Sequence, residues 1–182
     1  MRAGAPILLA LMACIAGCND RSSLALWRDD FETECGGAPC GWTQIAGPSG
    51  AATWVETLPS EHGVRLQGAG VAIARMTPDH TVPLDTAHSM EAHVVARCDA
   101  GAQLTIIVTL RTAPTTIDVS GSAAFPPSWD GTRMMPLTLS LDATHADAQF
   151  DAILGVILHK EGPGACEVDY VSLADSTTHF FE

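Results

Sequence analysis

From Trp27 to Leu173 the chain consists of short runs in which apolar and polar residues alternate, separated by Gly, Pro and Asp. A period of two places successive side chains on opposite faces, so each run predicts a strand with one dry and one wet face. The runs are Trp27–Glu32, Thr53–Thr57, Gly63–Gln67, Val71–Met76, Met90–Cys98, Gln103–Thr112, Thr116–Ser120, Met134–Asp142, Ala152–Lys160 and Cys166–Leu173. Helical spacing is absent from this region beyond a single turn expected at Ala143–Gln149. Strands at this spacing predict an all-β fold, an antiparallel β-sandwich of the jelly-roll kind.

The alternation also assigns faces. Met90, Ala92, Val94 and Ala96 point one way, with Glu91, His93, Val95 and Arg97 opposite. Leu104, Ile106, Val108 and Leu110 oppose Thr105, Ile107, Thr109 and Arg111, and Leu137, Leu139 and Leu141 oppose Thr138, Ser140 and Asp142. Each strand therefore has a core side and a more polar side, as two packed sheets require. The run Ile153–Leu158 is apolar throughout and predicts a central strand covered from both directions. In the last run Val168 and Val171 are three apart, which breaks the alternation. A β-bulge at Asp169-Tyr170 would return both valines to one face.

Ahead of the strands, Ala5 to Ala16 form an apolar run after a single charge, Arg2. A bilayer span takes about 20 residues, so this run suits the h-region of an export signal instead. Ile15-Ala16-Gly17-Cys18 resembles the lipobox of bacterial lipoproteins. The resemblance implies cleavage before Cys18, a diacylglycerol thioether on its sulfur with added acyl chains such as palmitate, and a home in the bacterial cell envelope. Two or more chains give a stable anchor, because each buried CH₂ contributes ~0.8 kcal/mol. The expected organisation is a signal peptide over 1–17, a lipid-anchored linker over 18–26, a β-sandwich over 27–175 and a tail over 176–182. Loss of residues 1–17 removes Arg2 and no acid, so the net charge of −12 becomes −13. Such a charge argues against a nucleic-acid partner, which needs a basic footprint.

Of the six cysteines, Cys14 falls in the signal and Cys18 carries lipid, leaving Cys35, Cys40, Cys98 and Cys166. An even number in an oxidising compartment predicts disulfides. Cys35 and Cys40 flank a Gly-Gly-Ala-Pro loop and pair with each other; Cys98 and Cys166 pair by elimination. A four-cysteine zinc site is disfavoured, because the Cys35/Cys40 spacing is wide for a zinc knuckle and the other two cysteines stand singly.

Phe31-Glu32, then Gly41-Trp42-Thr43, then Val168-Asp169-Tyr170-Val171-Ser172-Leu173 resemble the β-sandwich carbohydrate-binding modules and related galactose-binding-like jelly rolls. Those often open with Phe-Glu, continue with Gly-Trp and close on an aspartate-bearing strand. The resemblance implies a structural calcium ion held by Glu32 and Asp169, a buried Trp42 and a glycan ligand. Here Tyr170 stands where the family has a second aspartate, and the cysteine pair interrupts the segment before Gly-Trp.

Recognised catalytic motifs are absent: there is no GxSxG, HExxH, P-loop or GxGxxG. Thirteen aspartates and eight glutamates make some carboxylate pair inevitable, so a pair alone says nothing of glycoside hydrolysis. On the polar side of Met90–Cys98, Glu91, His93 and Arg97 are read either as cross-strand ion pairs or as a face that binds sugar hydroxyls. A pyranose ring also needs an aromatic platform for its C–H face. Trp54, beside Glu56, and Trp129, in the turn FPPSWDG, are the candidates. The expected function is non-catalytic binding, with carbohydrate as ligand. A structural or protein-partner-binding envelope lipoprotein is the alternative, and a small polysaccharide-degrading enzyme the second.

Overall fold

A computed structural model describes residues 25–76, 82–83, 90–112, 115–125, 133–141 and 152–175. Cys18, Trp129, the expected turn at 143–149 and the tail 176–182 lie outside the described residues. The strands are β1 Trp27–Asp29, β2 Glu34–Cys35, β3 Ala38–Pro39, β4 Thr43–Ala46, β5 Ala52–Leu58, β6 Glu61–Gln67 and β7 Val71–Met76. They continue with β8 Val82–Pro83, β9 Met90–Cys98, β10 Gln103–Thr112, β11 Thr115–Ala124, β12 Met135–Leu141, β13 Ala152–Glu161 and β14 Ala165–Asp175. No helix occurs among the described residues. The fold is an all-β antiparallel sandwich.

One sheet runs β12-β9-β14-β6-β5, with β1 beside the C-terminal half of β14. The other runs β11-β10-β13-β7-β4, with β8 beside the start of β13. The first sheet contributes Met90, Ala92, Val94, Ala96, Val168, Val171 and Leu173 to the core, the second Leu104, Ile106, Val108, Leu110, Val156 and Leu158. Each Val, Leu, Ile or Met among them stabilises the fold by roughly 1.5–3 kcal/mol where burial is complete. The faces match the alternation. One expectation changes: Leu154 and Ile157 are half-buried, so β13 is central within its sheet but open to solvent on its outer side.

Expected and observed strands differ where local pattern is weak. β1 ends at Asp29 because the Asp29 carboxylate accepts the Phe31 backbone N–H at 2.8 Å and Phe31 adopts φ 56°. A left-handed φ at a bulky residue costs about 1–3 kcal/mol. Full burial of the Phe31 ring, 5.4 Å from Trp42, offsets that cost. β2, β3, β4 and β8 carry no alternating pattern, and pairing with a neighbour makes them strands. β11 runs on to Ala124 through Gly121-Ser122-Ala123 because β10 offers a ladder along its whole length.

Both disulfides form as expected. Cys35–Cys40 closes the β2–β3 hairpin. Cys98–Cys166 joins residues directly opposite on β9 and β14, inside the core. By loop length the long bridge constrains the unfolded chain by ~4 kcal/mol and the short one by ~2 kcal/mol.

Two buried charges are fully engaged. Asp29 of β1 accepts from Trp42 Nε1 at 2.9 Å and pairs with Arg75 of β7, so it ties one sheet to the other. Desolvation holds the Arg75 pKa below its usual value. Lys160, the only lysine, is fully buried and donates to the carbonyls of Gly68, Gly162 and Pro163 at 2.9, 2.8 and 3.1 Å. Burial lowers its pKa, while Asp99 and Glu161 oppose that shift.

The predicted bulge is present: the β14/β9 ladder passes from Val168 opposite Ala96 to Tyr170 opposite Val95, leaving Asp169 as the extra residue. A second irregularity lies in β5 at Thr57. The Thr57 hydroxyl donates to Asp169 Oδ1, so the two bulges meet. Gly63 of β6 lies against both. A Cβ there would stand 2.3 Å from the Val168 carbonyl oxygen and 2.6 Å from Thr57 Cγ2. Gly63→Ala should therefore destabilise the domain by about 1–3 kcal/mol through overpacking. Urea unfolding monitored by tryptophan fluorescence would read the loss, and an unchanged midpoint would count against the close approach.

Candidate functional site

The side of the first sheet that faces away from the core collects most of the polar side chains singled out above. Cross-strand register sets them in rows. In the first, Arg97 of β9, Glu167 of β14 and Arg65 of β6 stand directly opposite one another. In the next, Pro136, Val95 and Tyr170 align across β12, β9 and β14. In the third, Thr138, His93 and Ser172 align, with Arg28 of β1 opposite Ser172. Ser140, Glu91 and Ala174 form the fourth.

Because of the bulge, Tyr170 stands outward between the Glu167 row and the Ser172 row. A cavity of about 190 Å³ opens over this part of the sheet, lined by His93, Val95, Pro136, Thr138, Tyr170 and Ser172 among others. It is smaller than the roughly 300–1,000 Å³ of pockets that enclose a drug-sized ligand. It is a groove, with the Tyr170 ring, the His93 imidazole and the hydroxyls of Thr138 and Ser172 along it.

Glu167 anchors one end of the groove. It accepts from Arg97 Nε at 2.7 Å and pairs also with Arg97 Nη2, while Arg65 Nη1 approaches its other oxygen at 3.3 Å. His93 Nδ1 lies 3.2 Å from the Thr138 hydroxyl and its Nε2 3.9 Å from a Glu91 oxygen. Glu91, His93 and Arg97 share one face of the first sheet with Tyr170, Ser172, Thr138, Arg65 and Glu167, and the ionic contacts there include His93 with Glu91 and the two arginines with Glu167. The signal for Tyr170 was available, because the inferred bulge already turns it outward.

Trp54 stands elsewhere. Its register partner is the buried Val64, so it belongs to the core side of β5, near the rim. The His62 ring stacks on it at 4.0 Å with 9° between planes, and its Nε1 donates to the Phe31 carbonyl at 2.8 Å. One indole face is therefore covered and its polar atom is engaged. Trp129 lies outside the described residues. Trp27 and Trp42 pack edge to face at 6.2 Å, with Trp42 buried.

Glu32 and Asp169 both approach the β5–β6 hairpin. Glu32 accepts from the His62 backbone N–H at 3.0 Å and lies 3.2 Å from His62 Nδ1. That backbone hydrogen bond is the main reason its pKa falls below the ordinary 4.5. Asp169 accepts from Thr57, whose hydroxyl also lies 3.3 Å from the Glu61 carbonyl oxygen. Glu32 and Asp169 thus hold two different residues of the β5–β6 hairpin, His62 and Thr57. Among the described residues no group of three or more His, Cys, Asp or Glu is placed to hold a metal, so such an ion would need backbone, hydroxyl and water oxygens as well.

No family model matches the chain, and no curated protein matches it. Solved structures do. The CBM1 module of BiXyn10A, in its apo form, has a TM-score of 0.51 at 12% identity, covering 84% of this chain and 99% of that one. The carbohydrate-binding module CBM6cm-2 from Cellvibrio mixtus lichenase 5A, in complex with cellotriose, gives 0.52 at 9% identity over 84% of this chain and 98% of that one. The Clostridium thermocellum xylanase 10B CBM22-1–GH10 modules, complexed with xylohexaose, give 0.54 at 10% identity, over 82% of this chain but 28% of that chain. At these identities the likeness is one of fold. The chain has the β-sandwich of carbohydrate-binding modules.

Proposed function

We propose that this protein is a non-catalytic carbohydrate-binding domain held at the bacterial cell envelope by a lipidated Cys18. The observation that carries the reading is the groove on the outer face of the first sheet. A sugar ring presents an apolar C–H face and a rim of hydroxyls. Tyr170 offers a ring for the first, and His93, Thr138 and Ser172 offer hydrogen-bonding groups for the second. The carbohydrate-binding module CBM6cm-2, solved in complex with cellotriose, supports the choice of ligand class. The oxygens of Glu167, which stands in the row next to Tyr170, are engaged by two guanidiniums, which favours gripping over proton transfer.

Isothermal titration of the 21–182 fragment with cellotriose, xylohexaose and longer glucans and xylans tests the reading. Saturable binding is expected, and Tyr170→Ala should weaken it about tenfold, or 1.4 kcal/mol. Absence of binding across the series, or an unaffected Tyr170→Ala variant, would remove the groove as the site.

A calcium ion at Glu32 and Asp169 is part of the same proposal. Its role would be structural, joining the segment after β1 to β14 through the β5–β6 hairpin. Calcium should raise the Tm of chelator-stripped protein, and Asp169→Asn should abolish that rise. Identical melting with chelator and with calcium would refute the ion.

The anchor is tested separately. The eight residues Asn19–Leu26 reach at most ~28 Å when extended, so the sandwich would stay close to the bilayer. Mass spectrometry of the cell-derived protein should find an acylated N-terminal Cys18. Cys18→Ser should shift the protein from the detergent phase to the aqueous phase on Triton partitioning; an unmodified N-terminus would exclude the lipoprotein reading.

A further inference from the structure

The arginine row beside the groove has donors to spare. Glu167 stands opposite Arg65 on one side and Arg97 on the other, and its two oxygens are their shared acceptor. Each guanidinium carries five N–H groups, and a carboxylate offers about four acceptor sites. One carboxylate therefore neither saturates two arginines nor cancels their charge. Arg65 shows the shortfall directly: it reaches Glu167 through Nη1 alone, at 3.3 Å, and its Nε is buried with no hydrogen-bond partner.

The row keeps a net charge of about +1 in a chain whose total is −12. At 0.15 M ionic strength the Debye length is about 8 Å, so distant acids are screened, while Asp169 at the bulge, two residues from Glu167, sets its own charge against that of the row. Tyr170 occupies the next row on the same face, one bulge away along β14.

We propose that this face takes an acidic glycan, a chain bearing uronic-acid carboxylates. One sugar carboxylate would take the terminal Nη–H donors of the partly exposed Arg65 and Arg97 that Glu167 does not use, while a neighbouring ring lies on Tyr170. A carboxylate fits because the planar fork of Arg already holds Glu167 through two nitrogens of Arg97. This rests on the carbohydrate reading above and names its ligand class.

The test compares a glucuronic-acid-bearing xylan with the same polymer after its carboxyl groups are reduced to alcohols, by affinity electrophoresis or calorimetry at ~0.15 M salt. The acidic polymer should bind about tenfold more tightly. Arg65→Gln, checked for folding by circular dichroism and Tm, should bring the two polymers within about twofold of each other. If that variant does not fold, Arg97→Gln reads the same ratio. Equal or weaker binding of the acidic polymer, with the reduced polymer still bound, would overturn this inference and leave the carbohydrate reading standing. A preference that survives in both arginine variants would also overturn it. Binding of neither polymer would remove the carbohydrate reading along with it.

Discussion

The meeting of two bulges, Thr57 in β5 and Asp169 in β14, is the constraint on which the rest of the structure depends. A strand has a strict period of two, so one inserted residue exchanges the faces of everything beyond it. Before the insertion, Glu167 faces out and Val168 faces in; after it, Tyr170 and Ser172 face out while Val171 and Leu173 face in. Without it, the valine and leucine would be driven outward and the tyrosine inward. One residue therefore serves both the core and the binding face. The Thr57 hydroxyl answers the half-buried side chain of the bulge, and Gly63 leaves the room the displaced backbone needs.

Around that point the sandwich is held by few polar contacts, each with several partners. Asp29 satisfies a backbone N–H, an indole N–H and a guanidinium at once. Lys160 satisfies three loop carbonyls with one ammonium. Burying a charge is costly unless its hydrogen bonds are replaced, and removing one partner of a buried pair costs roughly 3–5 kcal/mol. These groups specify how the sheets and loops meet, while apolar burial supplies most of the driving force. The Asp29 knot also explains the left-handed Phe31. The turn that gives Asp29 a second acceptor role places the ring in the core.

The outer face of the first sheet differs in kind. Its rows come from four strands, β12, β9, β14 and β6, and β1 adds Arg28 at the margin. Side chains on such a platform are fixed by the ladder beneath them and lose little freedom on binding. The carboxylate of Glu167 orders two arginines, and the half-buried Tyr170 lies in the adjacent row. A face of this kind would suit the extended, flat ligand proposed above, through stacking and forked hydrogen bonds.

Much of the fold was legible in the pattern of residues, because alternation is a local record of which side of a strand is dry. The long strands β5 to β7 and β9 to β14, the two disulfides and the bulge at Asp169 all follow from runs, spacings and a single broken period. The anchor, too, is a reading of a short contiguous segment, resting on the sequence alone. Short strands such as β4 and β8 were not legible, since their backbones are extended only because a neighbour offers a ladder. Nor was the fate of Trp54. His62 is eight residues away along the chain, and only the hairpin lays its ring on the indole. Arg65, Arg97 and Glu167 are dispersed over a hundred residues and carry no shared motif. Sequence tells each side chain which face to take; which strands lie side by side is decided by hydrogen bonding and core packing between distant segments. A surface assembled across four strands can therefore be seen only after the chain has folded.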